Sequence, residues 1–96
     1  MRKYEVMYII NPNLQEEALK ASVERYASII TNDGGEMEKV HEMGKKRLAY
    51  EIKDKREGFY VLMNFQSEPK AVNELERVMK INDDVIRYLI VREDEQ

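Results

Sequence analysis

Apolar and polar residues alternate at the start of the chain. In RKYEVMYII, Tyr4, Val6, Tyr8 and Ile10 fall on one face of an extended strand, with Met7 and Ile9 on the other. Asn11-Pro12-Asn13 breaks that strand, and the apolar spacing then lengthens. Leu19, Val23, Tyr26 and Ile30 recur at the interval of a helix face. Asn13 is available to cap the helix, Glu16 and Glu17 suit the positive end of its dipole, and Gly34-Gly35 supplies the stop. A long extended run follows from about Glu36 to Lys53, with Gly44 as a bulge or bend, and DKREG reverses it into FYVLMNF. Ser67, Glu68 and Pro69 start a second helix, whose apolar stripe is Val72, Leu75, Val78 and Met79 and which ends near INDD. VIRYLIVR is the fourth strand, and EDEQ is an acidic tail expected to be mobile.

The predicted order is β-α-β-β-α-β. It is the ferredoxin-like arrangement of the α+β class, a four-stranded antiparallel sheet with two helices on one face and right-handed crossovers. Residues 1–92 are expected to form one such domain, with 93–96 as the tail. Strands one, three and four carry apolar residues on both faces. Tyr60 and Leu62 alternate with Phe59, Val61 and Met63, and Ile86, Tyr88 and Ile90 stand opposite Val85, Leu89 and Val91. The helices cover one face only, so the other lies open or meets a partner.

Composition narrows the chemistry. In 96 residues, 43% hydrophobic and 36% charged, the balance is that of a soluble globular protein. The absence of Cys removes disulfides, thiolate metal sites and Cys nucleophiles, so an intracellular location is expected. MRKYEVMYII is too short for a membrane span and has no small-residue cleavage site. The single His41, in EKVHEMG, reads as a solvated strand histidine, and Asp83-Asp84 reads as a loop. Gly34-Gly35 follows a helix and so is not a phosphate loop between strand and helix. Acylphosphatases share the element order but grip phosphate with a loop after strand one; here that loop is INPNLQEE, which has two acids and no base. No catalytic site, metal or cofactor is indicated.

Nucleic acid remains. RNA-recognition motifs use this fold to display aromatics on strands one and three. MYIINPNL and REGFYVLMNF come near those elements, but Phe59 and Tyr60 are adjacent, which places them on opposite faces. The basic residues cluster elsewhere. The formal charge is -3, yet six of the sixteen Lys and Arg residues lie in GKKRLAYEIKDKREGFY: Lys45, Lys46, Arg47, Lys53, Lys55 and Arg56. Alternation puts Leu48, Tyr50 and Ile52 on one side of this strand and Lys45, Arg47, Lys53 and the small Ala49 on the other. Arg2 and Lys3 add a second basic pair. Such a layout suits phosphate contacts, and it equally suits an edge strand kept soluble by charge.

The ten residues GKKRLAYEIK, from Gly44 to Lys53, resemble the signature of the bacterial ribosomal protein S-six family: a Gly, a basic residue, Leu-Ala-Tyr, one free position, Ile and a polar or basic residue. RKYEVMYIINPNL, GFYVL and INDDVIRYLIVR extend the resemblance over nearly the whole chain. The resemblance implies the ferredoxin-like fold and a non-catalytic, cytoplasmic constituent of the small ribosomal subunit. It also implies binding to the central domain of small-subunit ribosomal RNA, as a heterodimer with ribosomal protein S-eighteen. On that basis Arg2, Lys3, Lys45, Lys46, Arg47, Lys53, Lys55 and Arg56 are expected to contact RNA phosphates. Leu48, Tyr50, Ile52 and Tyr60 are expected to serve the protein partner or the core.

Overall fold

A computed structural model describes residues 1–93, so the remainder of the acidic tail, expected to be mobile, lies outside the described residues. Six elements follow one another: β1 (Arg2–Ile10), α1 (Glu16–Asn32), β2 (Glu36–Ile52), β3 (Lys55–Ser67), α2 (Pro69–Ile81) and β4 (Val85–Arg92). The strands form one antiparallel sheet in the order β2-β3-β1-β4. This is the expected ferredoxin-like architecture.

Both helices lie on one face because their apolar stripes have only that surface to bury against. Leu19, Val23, Tyr26 and Ile30 of α1 and Val72, Leu75, Val78 and Met79 of α2, with Ala71, are buried over Tyr4, Val6, Tyr8 and Ile10 of β1 and Val61, Met63 and Phe65 of β3. Each large side chain removed from water there contributes about 1.5–3 kcal/mol, before chain entropy is set against it. Tyr8 and Tyr26 meet edge to face, with ring centroids 5.2 Å apart.

The helix starts differ from the sequence expectation. Asn13 does not cap α1: its N–H donates to Asn11 Oδ1 at 3.0 Å, an Asx turn that fixes the corner after β1, and the cap position falls to Gln15, which makes no side-chain cap bond. Ser67 is a fully buried residue of β3, and Glu68 takes the cap position ahead of Pro69. Gly34, at φ +86°, ends the first helical segment as its permissive backbone allows.

Two departures from alternation shape the other face. The β2–β3 turn is tighter than DKREG, for only Lys53 (φ 50°) and Asp54 (φ 64°) are left-handed, and Lys55 to Gly58 already belong to β3. Two consecutive left-handed residues match the right-handed twist of a hairpin. In β4, Ile9 faces Arg87 and Ile10 faces Val85, leaving Ile86 as an extra residue. Val85 therefore joins Ile10, Tyr88 and Ile90 on the helix face, while Ile86 turns to Ile9 on the other. A single bulged residue thus reverses the placement that strict alternation gives to Val85 and Ile86.

Candidate partner and nucleic-acid interface

The β2–β3 hairpin builds this region. Arg47 pairs with Glu57 and Ile52 with Lys55, so five steps along β2 oppose two along β3. The surplus lets the end of β2 arch over the uncovered face. Leu48 drops onto Ile9 and Ile86 as a second small cluster, with Ile52 and Tyr60 packed around it. Gly58 makes this possible, since a Cβ there would collide with Ile9 Cγ2. The tip reaches further still: Lys53 Nζ donates to the Val85 carbonyl at 3.3 Å, joining the turn to β4. Beside it, Arg87 Nη1 donates to Tyr50 Oη at 2.6 Å.

The arch and the sheet enclose a hollow of about 210 Å³, walled by Met7, Ile9, Leu48, Tyr50, Ile52 and Tyr60. All four residues expected to serve a partner or the core come together here. Leu48 is buried and takes the core role, Ile52 and Tyr60 are half-buried, and Tyr50 is 61% exposed. Leu89, 55% exposed, also lines the hollow, and the same face of β4 carries Val91, 43% exposed. Neither is among the expected site residues, although the alternation of VIRYLIVR puts both on one face.

The expected RNA-contacting cations fall into two groups. Lys45 pairs with Phe59, which packs on the helix-side core, so Lys45 and Arg47 project to the helix side while Lys46, opposite Gly58, projects to the open face. Lys53 does not share a strand side with Lys45 and Arg47, because the surplus residues break the alternation and the turn lifts Lys53 off the strand. Arg56 is exposed near the tip and Lys55 is half-buried. Arg2 and Lys3 pair with Ser67 and Gln66, at the opposite end of the sheet. From Ser67 to Gly58 is nine residues of β3, roughly 30 Å at about 3.3 Å per residue. Arg92 stands with this second group, through Tyr4 opposite it and the Glu93 N–H on the Lys3 carbonyl.

The aromatics do not form a base-stacking pair. Phe59 packs against the helix-side core, Tyr60 lies on the open face, and the β1 residues on that face, Lys3, Glu5, Met7 and Ile9, include no aromatic. His41 is exposed opposite Leu62, and among the described residues no group of three or more His, Cys, Asp or Glu is placed to hold a metal ion.

The element order, the sheet order and the helices on one face make this a ferredoxin-like domain with an uncovered, partly apolar sheet face. A sequence model of the ribosomal protein S6 family matches residues 3–92. Small ribosomal subunit protein bS6 of Exiguobacterium sibiricum is 57% identical over 94 residues, which cover 98% of this chain and 99% of the relative. The crystal structure of 30S ribosomal protein S6 from Thermotoga maritima has a TM-score of 0.91 at 38% identity, over 96% of this chain and 87% of that one. A protein from Arabidopsis thaliana, with a TM-score of 0.57 at 13% identity over 100% of this chain and 96% of its own, shares the fold alone. The chain belongs to the ribosomal protein S6 family. It is a structural, non-enzymatic protein of the small subunit of the bacterial ribosome, in the cytoplasm, as the resemblance in its sequence implied.

Proposed function

We propose that this protein binds the central domain of small-subunit ribosomal RNA together with ribosomal protein S-eighteen, as a heterodimer. The observation that carries the reading is the convergence of Tyr50, Ile52 and Tyr60, over a floor of Leu48 and Ile9, on one accessible hollow of the uncovered sheet face. Solvent-facing apolar surface that takes in Leu89 of this hollow and Val91 on the same strand face is suited to a protein partner. The net charge of -3 favours a basic partner, which relieves this chain of neutralising the RNA by itself.

In this reading Lys45, Lys46, Arg47, Lys53, Lys55 and Arg56 meet phosphates from the hairpin, and Arg2 and Lys3 meet them from the far end of the sheet. Phosphate contacts of this kind orient a protein on RNA without reading its sequence. Filter binding to central-domain RNA, with and without S-eighteen, tests the reading. The pair should bind far more tightly than this protein alone, and equal affinities would rule out the heterodimer. Replacement of Lys45, Arg47 and Lys53 by Ala should flatten the slope of log affinity against log salt by roughly 0.7–0.9 for each phosphate that is no longer neutralised.

A further inference from the structure

A second hollow, of about 300 Å³, lies where the hairpin tip, the end of α2 and the outer edge of β4 come together. Its charged contributors are Lys53 from the turn, Lys80 from the last turn of α2 and Arg87 from β4; Tyr88 also lines it, and no carboxylate does. Among the described residues the salt bridges are Met1–Glu68, Lys20–Glu16 and Arg77–Glu74, so none of these three cations has a carboxylate partner. Glu76, one helical turn before Lys80, accepts the Tyr88 hydroxyl hydrogen bond at 3.0 Å. In a chain with nineteen acids, three uncompensated cations from three separate elements repel one another around a space that an anion fits.

The donors are held in place and are not used up. Lys53 gives one hydrogen to the Val85 carbonyl and Arg87 gives one to Tyr50, out of the three and five that these groups carry. A backbone donor joins them. β4 is an edge strand, and because the Glu93 N–H bonds to Lys3, ladder alternation turns the Tyr88 N–H toward the free edge. Two ammonium groups, a guanidinium and an amide are the set that binds phosphate oxygens.

We propose that Lys53, Lys80 and Arg87 form a site for a backbone phosphate of RNA, an inference that rests on the RNA-binding reading above. Lys53 stands in the same hairpin tip as Lys55 and Arg56, so the site carries the cationic surface of the hairpin around the sheet edge to α2. Neither Lys80 nor Arg87 is distinguished by the sequence pattern, since they lie 27 and 34 residues beyond Lys53 and only the arch of the hairpin brings the three together.

The test uses the complex with S-eighteen on central-domain RNA. Lys80→Gln alone should flatten the log-log salt slope by roughly 0.7–0.9, and Lys80→Gln with Arg87→Gln by roughly twice that. Lys80 and Arg87 are exposed and water can replace the Arg87 donor at the exposed Tyr50 hydroxyl, so a melting curve like that of the wild type is expected for both. A slope unchanged by either variant, where Lys45→Gln with Arg47→Gln does flatten it, overturns this site and leaves the RNA-binding reading standing. No RNA binding by the wild-type complex overturns both. Amide resonances of Arg87 and Tyr88 should move with RNA and stay in place when inorganic phosphate alone is added to the complex at equal phosphate concentration. Saturation by inorganic phosphate would make this a free-anion site and overturn the proposal.

Discussion

Ile9 of β1 occupies the space that a side chain at position 58 would need. A Cβ on Gly58 would fall well inside the contact distance of Ile9 Cγ2, and Ile9 is itself 4% exposed beneath Leu48. Gly58→Ala should therefore destabilise the protein by about 1–3 kcal/mol through overpacking. The double variant Gly58→Ala with Ile9→Ala should recover part of that loss, giving a favourable coupling in a double-mutant cycle read by denaturant unfolding. Purely additive losses would show that the two positions do not compete for the same space.

Tyr8 lies in the main core with a hydroxyl that has no hydrogen-bond partner among the described residues. Removing an unsatisfied buried hydroxyl costs no hydrogen bond and relieves its desolvation, so Tyr8→Phe should be neutral or stabilising by about 1 kcal/mol at neutral pH.

Burial first, and the neighbouring Tyr26 second, hold the Tyr8 phenol proton well above its ordinary range. Burial also raises Tyr26, against the hydrogen bond from Asn82. A phenol that keeps its proton in the fold but loses it in the unfolded chain costs stability only on the alkaline side. The contribution is intact below about pH 10, the unfolded value, and is lost progressively as pH rises above it. Denaturation midpoints measured across that boundary should fall steeply for the wild type and less steeply for Tyr8→Phe. Parallel curves would show that another group governs alkaline unfolding.

Helix α1 begins at Gln15 without a side-chain cap, although Glu16 and Glu17 already favour its dipole. Gln15→Ser places a hydroxyl within reach of the free N–H groups of the first turn. A gain of about 0.5–1 kcal/mol in unfolding free energy is expected.

Leu89 is solvent-facing in the isolated chain, so Leu89→Glu should change its stability by no more than about 0.5 kcal/mol. If the open face receives S-eighteen, the same charge becomes buried against a partner. Calorimetry should then show heterodimer affinity weakened by roughly tenfold or more, and undiminished affinity would move the partner to another surface.

Elements governed by local chemistry are legible from the residues. VIRYLIVR is β4 from end to end, and the four spaced apolar residues of α1 are its buried stripe. What the residues alone do not disclose are properties of strand pairs. Whether Val85 or Ile86 turns to the core depends on a bulge against Ile10, and whether Lys53 is a strand or turn residue depends on how many residues of β2 oppose β3. Alternation counts along one strand and carries no record of its neighbour. Asn13 loses the cap for a related reason, since its own N–H is held by the Asn11 side chain in the turn and the helix starts two residues later, after Gln15. Among the residues of the hollow, Leu48, Tyr50 and Ile52 are legible as one set because they alternate along a single strand. The nearness of Lys80 and Arg87 to Lys53 is not, because the fold gathers them from far along the chain.

Arg87 borders both hollows, with one hydrogen bond already committed to Tyr50. An occupant of either hollow that immobilises this guanidinium removes part of the ordering entropy that the second would otherwise meet, and linkage makes the benefit equal in both directions. Protein partner and RNA would then be cooperative ligands of one side chain, without any change in the shape of the sheet between them.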